Sequence, residues 1–190
     1  MVGTDPLKVD QQLARRVLRC PGCAGELRPW GYARRRGVRD DHGTVATRPR
    51  RSFCAGCRRT HVLLPSSMLA RRADAGRVIG AALAARAAGV GHRPIAFALG
   101  RPPSTVRGWL RRFAARAEEW RASFTGLVHA LDPEAAPIAA SGSAFGDAVE
   151  VLGLAAAAAA RRFGPRPPWQ FASSASSGLL LGPRPAGAVR

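Results

Sequence analysis

All four cysteines of the chain lie in two C-x-x-C pairs, an arrangement suited to binding a metal ion. The pairs are CPGC, at Cys20 and Cys23, and CAGC, at Cys54 and Cys57. Two residues between cysteines let a tight turn direct both sulfurs at one ion, and two such turns supply the tetrahedral sulfur shell that Zn²⁺ prefers. Because four thiolates close that shell, no position is left for a reactive water. The cysteines therefore predict one structural Zn²⁺ per chain.

A redox pair or a set of free thiols is the alternative interpretation of these cysteines. Two complete pairs, no cysteine left over and no βαβ pattern around either pair favour the metal site. His61 follows the second pair closely, but four sulfurs already complete the shell, so we interpret it as an ordinary strand residue. His42 lies in a predicted loop and has no partner that the sequence identifies.

The segment between the two pairs must fold so that the pairs meet. It has 30 residues, which is longer than the usual 15 to 20 or so, and an inserted loop, DDHGTVATRP, accounts for the excess. The flanking segments LRPWGYARRR and RPRRSF are rich in aromatic residues and arginine and predict two strands of a hairpin. THVLLP predicts a third strand, so residues 18–65 are expected to form a small β zinc ribbon.

Residues 66–125 are predicted to form a helical domain. The segment MLARRADAGRVIGAALAARAAGVGH has apolar residues at helical spacing and stops at its last two glycines. Residues 94–99 predict a short second helix, which ends at Gly100, and the two prolines that follow start a third helix capped by Ser104 or a neighbour. The third helix is expected to be long, with one apolar stripe: Val106, Trp109, Leu110, Phe113, Ala117, Trp120 and Phe124.

The opposite face of the third helix carries hydroxyls followed by arginines. Free N–H groups and hydroxyls at a helix N-terminus bind phosphates, and guanidinium groups reach guanine edges in the major groove. Ser104 and Thr105 supply the hydroxyls, and Arg107 and Arg111 are predicted to read bases of double-stranded DNA. The remaining predicted contacts are arginines on phosphates: Arg101, Arg112, Arg34, Arg35, Arg36, Arg50 and Arg51.

The residues around this turn resemble the helix-turn-helix family. Six positions have that motif's spacing of small, turn and core residues: Ile95, Ala96, Leu99, Gly100, Val106 and Trp109. The resemblance implies that residues 94–99 are the positioning helix and that the recognition helix runs from Ser104 onward. Arg101 departs from the pattern, because the family often has an apolar residue there, and the double proline is unusual.

Both halves together resemble bacterial proteins in which a zinc ribbon precedes a helix-turn-helix, related to the DNA-binding ends of insertion-sequence transposases. The stretches that carry this resemblance are RCPGC, WGYARRRGVR, RRSFCAGCRRTHVLLP and IAFALGRPPSTVRGWLRRF, within residues 18–121. The resemblance is closest to a domain family of unknown function. It implies a mainly α fold with a small N-terminal β zinc ribbon and a helix-turn-helix core, and it implies DNA binding without naming a target.

The charge of the chain is concentrated in the part that would hold these elements. The net charge is +18 and the pI about 11.8, which favour a polyanionic partner, nucleic acid first and an acidic membrane surface second. Lys8 is the only lysine, and GC-rich codons alone enrich arginine, so composition is weak evidence. The placement is stronger evidence, because residues 1–121 carry +17 and residues 122–190 only +1. A codon bias would act on both parts alike.

Residues 126–190 are predicted to hold a linker, an alanine-rich helix and a Pro/Ser/Gly-rich tail. The linker is LDPEAAPIAASGSAFG, the helix DAVEVLGLAAAAAARRFG starts at Asp147 as N-cap, and the tail is expected to be irregular. Trp169, Phe171 and residues 179–181 either dock back on the core, which we favour, or contact a partner. A homodimer through this third stays open.

Catalysis is not expected from this sequence. A transposase or integrase needs three carboxylates that hold two metal ions, but the acids after residue 121 are bunched and the segment lacks strand-like runs: Asp132, Glu134, Asp147 and Glu150. We find no phosphate-binding Gly-rich loop and no Ser/His/Asp or Cys/His arrangement, and we expect no catalytic residue and no small-molecule substrate. Sequence-specific binding of double-stranded DNA, as a regulator or mobile-element-associated factor, is the favoured function. A truncated transposase or its separate DNA-binding subunit, and an RNA-binding or protein-interaction module, are the alternatives.

The expected location is the cytoplasm, in association with the nucleoid. The N-terminus lacks the apolar region of a signal peptide, and the alanine run is too short to span a bilayer. No membrane partner is expected, and in that compartment structural disulfides are rare.

Overall fold

The computed structural model describes residues 1–183, and within them the chain forms seven helices and five strands. The helices are α1 (Pro6–Ala14), α2 (Gly76–Ala87), α3 (His92–Ala98), α4 (Pro103–Ala114), α5 (Ala117–Leu131), α6 (Ala144–Phe163) and α7 (Pro168–Ala175). The strands are β1 (Leu27–Tyr32), β2 (Arg36–Asp40), β3 (Gly43–Thr47), β4 (Arg50–Cys54) and β5 (Arg59–Leu63). This outline confirms a mainly helical chain with a small N-terminal β region. None of the helices in this part of the chain combines the length and apolar character that crossing a membrane requires.

Strands β1, β4 and β5 form an antiparallel sheet with β4 in the middle, here called the ribbon sheet. The predicted pairing of the two cysteine-flanking segments and the third strand are both confirmed. One face of the ribbon sheet packs on α1, a helix that the sequence analysis did not predict. Asp5 caps α1 by accepting the N–H of Leu7 at 2.9 Å. The shared small core is built from apolar and cysteine side chains: Val9, Leu13, Cys20, Leu27, Cys54 and Leu63.

The predicted inserted loop is instead a second hairpin, formed by β2 and β3. The outer edge of β2 pairs with the chain just before α2: the Arg39 N–H donates to the Ala73 carbonyl at 2.7 Å, and the Ala75 N–H donates to the Arg39 carbonyl at 2.9 Å. Val38, on the inward face of the hairpin, is buried in the core of the helices. The hairpin therefore belongs as much to the helical region as to the ribbon, which corrects the predicted division near residue 65.

Helices α2 to α7 enclose one continuous core. Helix α6 lies along α5, and α2 contacts α3, α4, α6 and α7. The core draws on every one of these helices and on the chain after α7: Ile79, Leu83, Ile95, Val106, Phe113, Phe124, Val151, Leu152, Ala172, Leu180 and Leu181. The predicted domain boundary at residue 125 falls inside α5, so the C-terminal third is part of this core.

The single long third helix that the apolar stripe predicted is two helices, α4 and α5. Arg116 leaves the helical conformation between them, with φ −129°. Its buried guanidinium donates to Glu119 and to the carbonyls of Leu179 and Gly182. The break thus lets one arginine hold the segment after α7 against the α4–α5 corner.

The N-cap position of α4 is a neighbour of Ser104, which the sequence allowed, whereas that of α6 is not the predicted Asp147. Helix α4 begins at Pro103 with Pro102 at the N-cap position, so Ser104 lies inside the first turn and caps nothing. Helix α6 begins earlier than predicted, with the Ser143 hydroxyl accepting the Gly146 N–H at 3.2 Å. Asp147 is buried in that first turn, where its carboxylate accepts the Ser141 N–H at 2.9 Å.

The tail after α6 is more regular than its composition indicates, because it contains α7. Trp169 and Phe171 pack against the core, and residues 179–181 follow them, with Leu180 and Leu181 fully buried. The predicted docking of these side chains is confirmed. The last seven residues of the predicted tail, 184–190, lie outside the described part of the chain.

Candidate metal centre and basic surface

The four cysteine sulfurs converge at one end of the ribbon sheet. All four Sγ atoms lie within 4.8 Å of one another. The Cys20 and Cys57 sulfurs are 3.6 Å apart, and those of Cys23 and Cys54 are 3.4 Å apart. A tetrahedral shell with metal–sulfur bonds of about 2.3 Å has sulfurs about 3.8 Å apart. The predicted ligand set is therefore confirmed as a group that fits a metal ion.

The two cysteine turns are built alike. The first precedes β1 and the second joins β4 to β5, and the residue after each pair, Ala24 or Arg58, has φ +57°. The Gly22 N–H donates to the Cys20 sulfur at 3.4 Å. A Cβ at Gly25 would lie 3.2 Å from the Cys54 sulfur, so glycine leaves the room that the sulfurs need.

The thiols of this cluster have divergent pKa values. A hydrogen bond from the Cys57 N–H lowers the pKa of Cys54 to about 7, whereas burial raises the pKa of Cys57 to about 11. The Gly22 N–H lowers the pKa of Cys20 from its usual value. A metal ion binds the deprotonated form of each sulfur, so its binding releases protons and weakens as the pH falls.

His61 has a role that the sequence analysis missed. Its Nε2 atom lies 3.4 Å from the Cys20 sulfur, so the imidazole can hydrogen-bond to a ligand sulfur and orient it. The signal in the sequence is strand alternation, because His61 and the buried Leu63 lie two residues apart on β5 and share a face.

Arg107 and Arg111 are exposed, one turn apart on α4. Neither side chain forms an ion pair or hydrogen bond within residues 1–183. Together with Arg86 and His92 they line a cleft of about 610 Å³ between α4, the α2–α3 turn and the start of α6, and no acidic residue lines it. Ser104 is exposed at the start of the same helix and Thr105 is half-buried.

A second basic cleft also adjoins the C-terminal half of α4, with other residues. Its volume is about 580 Å³, and four arginines line it: Arg71, Arg72, Arg112 and Arg116. Burial, together with the positive charge of Arg112, lowers the pKa of Arg72. Arg112 also donates to the Gly108 carbonyl at 3.0 Å. Arg112 was predicted as a phosphate contact, whereas the two arginines from the segment before α2 were not.

Arg101 does not face solvent, which corrects its predicted role as a phosphate contact. Only 13% of its side chain is exposed. Its Nε donates to Asp74 at 2.7 Å, and its terminal nitrogens donate to carbonyls of Leu99, Gly100 and Asp40. Arg101 therefore holds the turn between α3 and α4 against the β2–β3 hairpin.

The predicted arginines before and within β2 divide into exposed and inward-facing side chains. Arg34 and Arg35 are exposed. Arg36 is half-buried, with its Nη2 atom 4.0 Å from the Met68 sulfur, and its predicted phosphate contact stays a prediction.

Arg50 and Arg51, on β4, also differ from each other. Arg50 pairs with Asp10 of α1, and its guanidinium lies over the Tyr32 ring at 4.3 Å. Its positive charge is therefore compensated by groups of the protein itself. Its predicted phosphate contact is corrected accordingly. Arg51 donates to the Thr60 hydroxyl at 3.3 Å and remains partly exposed.

Carboxylates do not gather into a second centre within residues 1–183. The four cysteines are the one group of three or more potential ligands there that are close enough to share an ion. Asp132 pairs with Arg161 at 2.7 Å, and Asp147 is held by Ser141. Comparison of the chain with protein-family models, with curated proteins and with solved structures finds no match.

Proposed function

We propose that this protein binds double-stranded DNA sequence-specifically, with α3 and α4 as a helix-turn-helix and the ribbon sheet as a zinc ribbon. The observation that carries the proposal is the division of α4 into two faces. Val106, Trp109 and Phe113 are buried in the core, whereas Arg107 and Arg111 are exposed and unpaired within the described residues. Guanidinium groups presented this way on one helix are suited to guanine edges in a major groove.

The connection between α3 and α4 supports this assignment. Gly100 has φ +59°, a conformation that glycine adopts without strain, and Ala96 is 1% exposed where the two helices meet. The position that often holds an apolar residue in this motif holds Arg101, whose contacts with Asp74 and three carbonyls give the turn a polar anchor. Helices α2, α3 and α4 pack on one another, so the buried face of α4 is held by the two helices before it.

We infer that the metal is Zn²⁺, because four thiolates in a closed tetrahedral shell form a structural zinc site. The shortest sulfur–sulfur distance, 3.4 Å, is far longer than the bond of about 2.05 Å in a disulfide. Elemental analysis of protein purified without added metal should find about one zinc per chain. A folded protein without metal would contradict this inference.

The acidic residues after α4 favour a binding protein over a transposase. A two-metal catalytic centre needs several carboxylates around one point. Asp132 and Asp147 are instead held by Arg161 and Ser141, and Glu150 is exposed on α6.

Selection of bound sites from a random DNA pool gives the target, and substitution then tests the role of α4. Arg107→Ala and Arg111→Ala are each expected to weaken binding to the selected site by about 1–3 kcal/mol and to relax specificity at one position. Arg112→Ala should weaken binding to all sequences alike and reduce the salt dependence. Arg162→Ala, an exposed arginine on α6, is the matched control and should change neither quantity. An equal loss on selected and random DNA in Arg107→Ala would refute its role in reading bases.

A further inference from the structure

The ribbon sheet has one covered face and one open face. The covered face carries Leu27, Cys54 and Leu63 against α1. Cross-strand partners share a face of a sheet, and the register pairs Arg28 with Phe53, Phe53 with Thr60, and Arg51 with Val62. The open face therefore consists of the side chains from the alternate positions of the three strands: Arg28, Trp30, Arg51, Phe53, Thr60 and Val62.

Trp30 lies on the edge strand β1 of this open face. The residue is 55% exposed, whereas Trp109 and Trp120 in the helical core are 3% and 7% exposed. The Trp30 ring contacts the half-buried Phe53, with centroids 5.2 Å apart and an interplanar angle of 33°. The register of β1 is irregular after Pro29, and Gly31 has φ +75°, so the backbone next to Trp30 is fixed in an uncommon shape. An exposed ring that is fixed by contact with a second ring provides a flat surface for stacking.

The charge of the open face is positive. Arg28 precedes Trp30 on β1 and is exposed, and Arg51 extends from β4 toward Thr60 of β5, donating to its hydroxyl at 3.3 Å. The six residues of the open face include no acid. Flat rings between guanidinium groups match a chain of unpaired bases joined by phosphates, because each base has a π face and each linkage a negative charge.

We propose that the open face of the ribbon sheet binds single-stranded nucleic acid, with a base stacked on Trp30 and adjacent phosphates bound by Arg28 and Arg51. A duplex does not fit this surface, because its base faces are stacked inside the helix and unavailable to a ring. The surface is separate from α4, so this binding is independent of the duplex binding proposed above, and each can fail without the other.

The test uses the full-length, metal-containing protein and fluorescently labelled oligonucleotides that form no secondary structure, dT15 and rU15. Fluorescence anisotropy should show binding to at least one of them. Trp30→Leu should weaken that binding about tenfold or more, in line with the loss of one stacked base. Arg28→Ala combined with Arg51→Ala should also weaken it and flatten its salt dependence. Unchanged metal content and circular dichroism would show that each variant is folded.

Two controls separate stacking on Trp30 from other attractions. Phe163→Leu removes another exposed ring with arginines over it, Arg162 and Arg166, and should leave oligonucleotide binding unchanged. An abasic oligomer of the same length and charge should bind about tenfold more weakly than dT15, since it has no base to stack.

Three outcomes would overturn the proposal. The first is that neither oligonucleotide binds, or that Trp30→Leu binds them as the unchanged protein does. The second is that Arg107→Ala abolishes binding of dT15 while Trp30→Leu does not, which would place the single strand on α4. The third is that poly-glutamate displaces dT15 at equal charge concentration, which would make the face a docking surface for an acidic protein chain.

Discussion

Asp74 connects three parts of the chain through one carboxylate. It is 2% exposed, and it accepts two hydrogen bonds from Arg39 of the hairpin, at 3.1 and 2.7 Å, and one from Arg101 of the α3–α4 turn. The Arg39 guanidinium pKa is raised by this contact. A buried carboxylate is stable in this position because both arginines compensate its charge.

Asp74→Asn should therefore destabilise the protein strongly. The amide has the shape of the carboxylate but leaves the Arg101 charge unpaired in a mostly buried position, and the loss of one partner of a buried pair costs about 3–5 kcal/mol. Asp41→Asn is the matched control, since the ion pair of Asp41 with Arg77 is about half exposed and should contribute under about 1 kcal/mol. Urea unfolding measures both free energies, and equal changes in the two variants would contradict the role given to Asp74.

For single residues, the sequence predicts those functional groups whose members lie a few positions apart in the chain. Each cysteine pair has its own turn, and Arg107 and Arg111 are one helical turn apart, so their grouping follows from the sequence. Arg101 was misassigned because its partner Asp74 lies 27 residues away, and no local pattern shows that these two side chains meet. Arg50 was misassigned for the same reason, as its partner Asp10 is in α1, 40 residues earlier.

Among the helices, α2 and α7 meet at a contact that only glycine permits. A Cβ at Gly80 would overlap the indole ring of Trp169. Gly80→Ala should therefore push α7 off α2 and destabilise the protein by about 1–3 kcal/mol, as overpacking does. Gly153→Ala in α6 is the control, because a Cβ there meets nothing within 4 Å and alanine should stabilise a helix interior by roughly 0.5–1 kcal/mol. Thermal unfolding of both variants checks the prediction, which is wrong if the two shifts have the same sign.

The elements that the sequence failed to predict are those shaped by distant contacts. The apolar stripe continues through α4 and α5, and the break at Arg116 comes from carbonyls 63 and 66 residues later in the chain. Helix α7 has a composition typical of irregular chain, yet it is ordered by burial of Trp169 and Phe171. The segment DDHGTVATRP was predicted as an inserted loop to account for the extra length between the cysteine pairs, and the pairing of β2 with residues 73–75 is not visible in the sequence.

In the molecule as a whole, the C-terminal third completes the core. From the charge distribution alone, a variant ending near residue 126 is predicted to keep its zinc and most of the proposed DNA affinity, at the cost of thermal stability or dimerisation at most. The structure leads to the opposite expectation, because the cut removes α6, α7 and residues 179–181 and uncovers Phe113 and Phe124. This variant should lose cooperative unfolding and aggregate, as seen by circular dichroism and size-exclusion chromatography. A monomeric truncated protein with native helicity and unchanged melting temperature would contradict the shared core.

The ribbon sheet is joined to the helical region at several points, which bears on the length of nucleic acid that both could contact. The chain from β5 to α2 is held at several points, by Val2 against residues 64–66, by Gly178 against Ala70, and by the edge of β2 against residues 73–75. These backbone hydrogen bonds tie the ribbon sheet, which carries Trp30, to the helices that carry the arginines of α4. If this linkage keeps the two surfaces at a constant separation and both are used at once, the protein would select one kind of substrate. In it, the junction between paired and unpaired strands would lie at one set distance from the recognised duplex sequence.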